Sequence, residues 1–121
     1  VLISNLVITS SKLKEITSAY NQICINEKIS FSENKYLGKN ITNEFKCFNN
    51  FTAEQKEEIE DMIKEIATLG LQAQEVHGFK RLTIIEKIIE KTNKLKLKYN
   101  LGESILNIAI NAKTEIVKNS K

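Results

Sequence analysis

Proline and tryptophan are absent from the 121 residues, and glycine (4), cysteine (2), histidine (1) and methionine (1) are scarce. Without proline there is no built-in helix breaker and no Pro-rich recognition segment. Four scattered glycines cannot assemble a Gly-rich phosphate loop. A single histidine excludes a His-pair zinc site, and two cysteines fall short of a four-ligand finger. The helical Glu-x-x-His spacing is also missing, because Glu75 lies two residues before His77. No run of eighteen apolar residues occurs, so no membrane span is expected. Neither sign of charge dominates: 18 Lys and Arg oppose 15 Asp and Glu, for a net +3. One arginine among those cations argues against a nucleic-acid-binding arm.

What is present is an ordinary globular composition, 41% hydrophobic and 27% charged, in a length that supports one core. A single domain spanning residues 1–121 is therefore expected. Ile (18), Lys (17) and Asn (13) are over-represented. An A/T-rich coding sequence produces that bias with no functional pressure, so those counts carry little chemistry. A start at Val1 in place of Met fits either a processed product or a piece of a longer chain.

Hydropathy has a helical period in four long segments. Leu2, Leu6, Leu13, Ile16, Tyr20 and Ile23 form one stripe over a helix of about 24 residues. Thr52-Ala53-Glu54-Gln55 reads as a capping box that starts a helix at Ala53. Its core side is Ile59, Met62, Ile63, Ile66 and then Gly70 or Ala73. The stripe continues to Val76, so the helix is expected to run past Gly70 to His77-Gly78. Thr83-Ile84-Ile85-Glu86 reads as a second capping box, opening a helix that carries Ile85, Ile88, Ile89, Thr92, Leu95 and Tyr99. Asn100-Leu101-Gly102 supplies a stop. Nine of residues 101 to 117 are apolar, among them Ile105, Ile108, Ala112 and Ile116 on one stripe with Leu106, Ile110 and Val117 beside it. Between the first two helices, residues 28–51 hold Gly38 and four of the five Phe. There Leu37, Ile41, Phe45 and Phe48 keep a four-four-three spacing that predicts one short helix turning its aromatics toward the core, core filling being the first reading of the aromatic cluster and a ligand pocket the second. The fold class is thus all-α, a bundle of four long helices plus one short one, mostly antiparallel. Its core is expected to include Leu13, Ile16, Ile23, Ile63, Ile66, Ile85, Ile89, Ile105, Ile108 and Ala112.

Several chemistry-bearing groups have structural readings that outweigh functional ones. His77 sits at a helix end, where the dipole and solvent account for it. Six carboxylates between Glu54 and Glu65 lack the alternating Asp, Asn and Gly of a calcium loop and suit a solvated helix face. Seven basic residues between Lys80 and Lys98, with Lys87, Lys91, Lys94 and Lys98 on one stripe, have an acidic neighbouring helix with which to pair. No nucleophile, base and orienting group stand together at any readable spacing, so no catalytic residue, metal or cofactor is assigned.

Cys24 and Cys47 are expected to bridge in an oxidising compartment, closing the loop between the first helix and the short one. The sequons Asn40-Ile41-Thr42 and Asn50-Phe51-Thr52 fall in the same region, although a chain this rich in Asn, Ser and Thr would carry about two by chance. These features point to export.

The candidate binding residues are Phe31, Tyr36, Phe45 and Phe48 of the aromatic segment with Leu106, Ile110 and Val117 of the last helix, whose apolar face is wider than one packing needs. The expected function is a non-catalytic, exported helical binding protein that engages a partner protein or an apolar small molecule, a homodimer being one form. A partner protein requires an exposed apolar patch, and a small ligand requires an enclosed cavity of at least ~300 Å³. The alternative is an intracellular helical interaction or regulatory domain.

Overall fold

A computed structural model describes residues 11–20, 22–23 and 45–119. These form four long helices and one short one packed around one core, with no strand among the described residues. Helix α1 covers residues 11–20, with 22–23 also helical. A 3-10 helix follows at Phe45–Asn50, then α2 at Ala53–Glu75, α3 at Gly78–Tyr99 and α4 at Glu103–Asn119.

The capping box of α2 forms as its sequence predicts. The Gln55 N–H donates to the Thr52 hydroxyl oxygen (3.2 Å), and the Thr52 N–H donates to Gln55 Oε1 (2.9 Å). Two amide groups that would otherwise lack partners at the helix start are thereby satisfied. The helix runs through Gly70, and the reason is a neighbour. A Cβ built on Gly70 would lie 2.9 Å from Cε1 of Tyr20 and 3.6 Å from Cβ of Ala19. Glycine lets α1 approach α2 this closely, which offsets its low helix propensity.

The expected start of α3 needs correction. The Thr83-to-Glu86 box does not begin a helix, because α3 opens at Gly78 and Thr83 already lies inside it, its hydroxyl donating to the Phe79 carbonyl (3.1 Å). Two features set the earlier start. Gly78 has φ +59°, a left-handed conformation that reverses the chain directly after Val76 and His77. Arg81, the single arginine, is then completely buried. Its Nε donates to the Ala73 carbonyl (2.8 Å) and its Nη2 to the Gln74 carbonyl (3.3 Å), closing the last turn of α2. At the far end the predicted stop operates, with Asn100 left-handed (φ 58°) and its N–H donating to the Lys96 carbonyl (2.8 Å).

Nine of the ten core expectations are buried: Leu13, Ile16, Ile23, Ile63, Ile66, Ile85, Ile105, Ile108 and Ala112. Ile89 is only partly buried, because the inward stripe of α3 is Arg81, Ile85, Ile88, Thr92, Leu95 and Tyr99, and Ile89 lies on its flank. Thr92 fits this apolar stripe because its hydroxyl donates to the Ile88 carbonyl (2.7 Å). The portion of the first predicted helix before residue 11 lies outside the described residues, as do Leu37 and Ile41.

The expected disulfide is also corrected, since no disulfide occurs among the described residues. Cys47 is exposed on the 3-10 helix. That helix repeats every three residues, so Phe45 and Phe48 turn inward together and Cys47 between them faces outward. Cys24 lies outside the described residues.

Candidate functional site

The candidate site spans two regions, and the structure places their members differently. Phe45 and Phe48 are buried in the core, and Phe31 and Tyr36 lie outside the described residues. The Nζ of the buried Lys56 sits over the Phe48 ring, 5.9 Å from its centroid. Phe51 packs edge-on to Tyr99, with centroids 5.5 Å apart and planes at 84°. This aromatic group therefore closes one end of the core.

On α4, Leu106 is buried, whereas Ile110 and Val117 are 43% and 40% exposed. They stand seven residues apart on one face. Leu82 and Ile89 of α3, both partly buried, lie one turn either side of Glu86, which meets Lys113 of α4 at 3.6 Å. Ile110 and Val117 lie one turn either side of Lys113, so all four apolar side chains follow the α3–α4 seam. Three exposed apolar residues escape the sequence reading: Leu71 (45%) on α2, Phe79 (79%) at the head of α3 and Leu97 (88%) near its end. Phe79 carries no periodic signal, because a helix start at Thr83 leaves it outside the helix. Leu97 has one, being opposite the inward stripe.

The interior leaves little space beside this seam. The apolar crevice lined by Tyr20, Ile23, Ile85, Ile108, Ala109 and Ala112 admits no sphere the size of water. A groove of about 420 Å³ between α2 and α3 is open to solvent, lined by Lys64, Glu65, Thr68, Leu69 and Lys91. Three of these five residues carry charge, although the stems of their side chains make most of the wall apolar.

The acidic and basic runs pair with each other. Glu65 meets Lys91 at 3.2 Å, and Glu58 holds a three-residue cluster at the start of α2. Lys98 Nζ donates to Glu58 Oε1 (2.6 Å) and the Tyr99 hydroxyl donates to Glu58 Oε2 (2.6 Å). The hydrogen bonds from Lys98 and then Tyr99 hold the Glu58 carboxyl below the ordinary carboxylate range. The same carboxylate raises both Lys98 and Tyr99. This explains how a run of like charge on each helix is tolerated.

Compared with protein-family models, curated proteins and solved structures, the chain gives no match. The functional reading therefore stands on the geometry. His77 precedes α3 as its N-cap residue, exposed and without a side-chain capping bond. Among the described residues no group of three or more His, Cys, Asp or Glu is placed to hold a metal ion, and no helix is long and apolar enough to cross a membrane.

Proposed function

We propose that the chain is a non-catalytic helical binding protein, exported from the cell, that docks through the outer face of α4. The occupant this face fits is a second copy of the same chain. The observation that carries the reading is the exposure of Ile110 and Val117 one heptad apart, with Leu82 and Ile89 along the same seam. A two-fold arrangement suits it, because the seam carries both signs of charge. Rotation brings Lys113 of each copy opposite Glu86 of the other, so that the pair now formed within one chain is exchanged between two.

The size of the face sets the strength. Seventeen helical residues extend roughly 26 Å, and a strip two helices wide at ~10 Å spacing covers about 500 Å², the range of weak, reversible association. Partner binding is favoured over an apolar small ligand because the core crevice is closed and Phe45 and Phe48 are spent as core. The alternative is an intracellular helical interaction or regulatory domain. It would keep the α4 surface and change only the location.

Sedimentation equilibrium over a wide concentration range tests the docking face. A monomer–dimer equilibrium abolished by Ile110→Glu with Val117→Glu, at unchanged helical content, is the expected result. A strictly monomeric protein, or a dimer indifferent to both substitutions, overturns it. Binding of a hydrophobic dye that fatty acids displace, in a protein that stays monomeric, would replace it with the small-ligand reading.

A further inference from the structure

We infer that Asn50 is an acceptor for an N-linked glycan, an inference that rests on the export half of the proposed function and not on the docking face. The sequon Asn50-Phe51-Thr52 spans the junction between the 3-10 helix and the cap of α2. Its three residues are divided by the fold in the way a glycan needs. Phe51, the middle residue, turns inward against Tyr99, while Asn50 and Thr52 on either side of it are exposed. The three-residue period that buries Phe45 and Phe48 leaves Lys46, Cys47, Asn49 and Asn50 all on the solvent side. A bulky, hydrated substituent on Asn50 therefore displaces no core side chain.

The reaction is transfer from a lipid diphosphate-linked oligosaccharide. The Asn50 Nδ2 forms a bond to C1 of the first sugar as the bond from C1 to the diphosphate oxygen breaks. The lipid diphosphate leaves with the electron pair, and the amide proton passes to a base of the transferase. Position matters for what the glycan would do. Phe51 places it at the end of the bundle where α3 finishes and, shortly after Asn100, α4 begins. Val117 lies roughly 20 Å farther along α4, so the glycan shields one end of the bundle and leaves the far part of the seam open.

The full chain is expressed behind a cleavable secretion signal in cultured animal cells, and its mass is compared before and after enzymatic removal of N-glycans. Peptide mapping then locates the modified Asn. The expected result is a glycan at Asn50 that disappears in Asn50→Gln and persists in Asn40→Gln, with both variants secreted and helical. Secreted, folded chain whose Asn50 is unmodified overturns the inference. Chain purified from its own source with Asn50 bare, while the secreted recombinant chain is modified there, overturns export instead and leaves the acceptor geometry supported.

Discussion

Replacing Gly70 by alanine sets two effects of similar size against each other, and the structure decides the sign. Alanine in the interior of a helix is favoured over glycine by about 1 kcal/mol. Against this, the new Cβ would stand 2.9 Å from Cε1 of Tyr20, closer than carbon atoms pack. The tyrosine ring cannot swing away, because it is buried between α1 and the rest of the core. Relief requires α1 to shift by several tenths of an ångström, and overpacking of that kind costs about 1–3 kcal/mol. The net expectation is destabilisation by roughly 1 kcal/mol despite the better helix former. Urea unfolding followed by circular dichroism measures this, with the slope checked for constancy. The mechanism also predicts a coupling. In a Tyr20→Leu background the same Gly70→Ala change should recover its helix benefit and become neutral or stabilising. A Gly70→Ala variant that is more stable than the parent with Tyr20 in place would refute the close packing of α1 on α2.

Arg81→Met should cost roughly 3 kcal/mol in urea unfolding, because the acceptors it abandons are backbone carbonyls of Ala73 and Gln74 that no substitution can remove. A loss below about 1 kcal/mol would mean that those carbonyls find other donors. Thr52→Ala should cost about 1 kcal/mol through loss of the cap, read as a lower midpoint in the same assay. The Glu58 cluster should give stability two pH edges. Glu58 is lowered in the folded chain, so its contribution is present above the ordinary carboxylate value of 4.5 and is lost as pH falls through the lower folded value. Lys98 and Tyr99 are raised, so their contribution is complete below their ordinary values of 10.5 and 10.0 and is lost as pH rises through the higher folded ones. Denaturation midpoints of Glu58→Gln across pH should lack both edges, and a profile parallel to that of the parent would exclude the cluster as their source.

The bundle could be read from the sequence where local and global signals agree. The Thr52–Gln55 box, the stripes of α2 and α4, the described part of the first stripe and the Asn100 stop all act within one or two helical turns, and each stands where its pattern put it. The start of α3 could not be read this way. Thr83 and Glu86 satisfy the local rule for a cap, but the helix is begun six residues earlier, with His77 as its cap, by the conformation of Gly78 and by a buried arginine, the residue type composition would leave outside. The misphasing of Ile89 has a related cause: with Ile88 beside it, four isoleucines in six residues leave the inward direction ambiguous until Arg81 and Leu95 fix it. At the candidate site, the exposure of Ile110 and Val117 was legible because the eight apolar residues of α4 exceed one stripe, whereas Leu106 beside them is buried. The burial of Phe45 and Phe48 was legible too, since their spacing turns the aromatics of a short helix toward the core; what it did not distinguish was a 3-10 period from an α period, which differ little over a single turn. Pairing of Glu58 and Glu65 with Lys98 and Lys91 was legible only as a possibility of charge sign, because register between helices is set by packing.

The clasp of Arg81 on the end of α2 also bears on the order in which the chain folds. Its hydrogen bond to Ala73 joins residues 8 apart, whereas the contact of Tyr99 with Glu58 joins residues 41 apart at the other end of the same helix pair. Closing the short loop sacrifices the least chain entropy, so the α2–α3 pair is expected to nucleate at Val76–Gly78 and to zip toward Glu58, with the three-residue cluster forming last. In kinetic terms, substitutions at Arg81 should slow folding, and substitutions at Glu58 should mainly hasten unfolding. The end of the bundle that bears Asn50 would then be the last to close, so its sequon stays extended and reachable while the opposite end is already native.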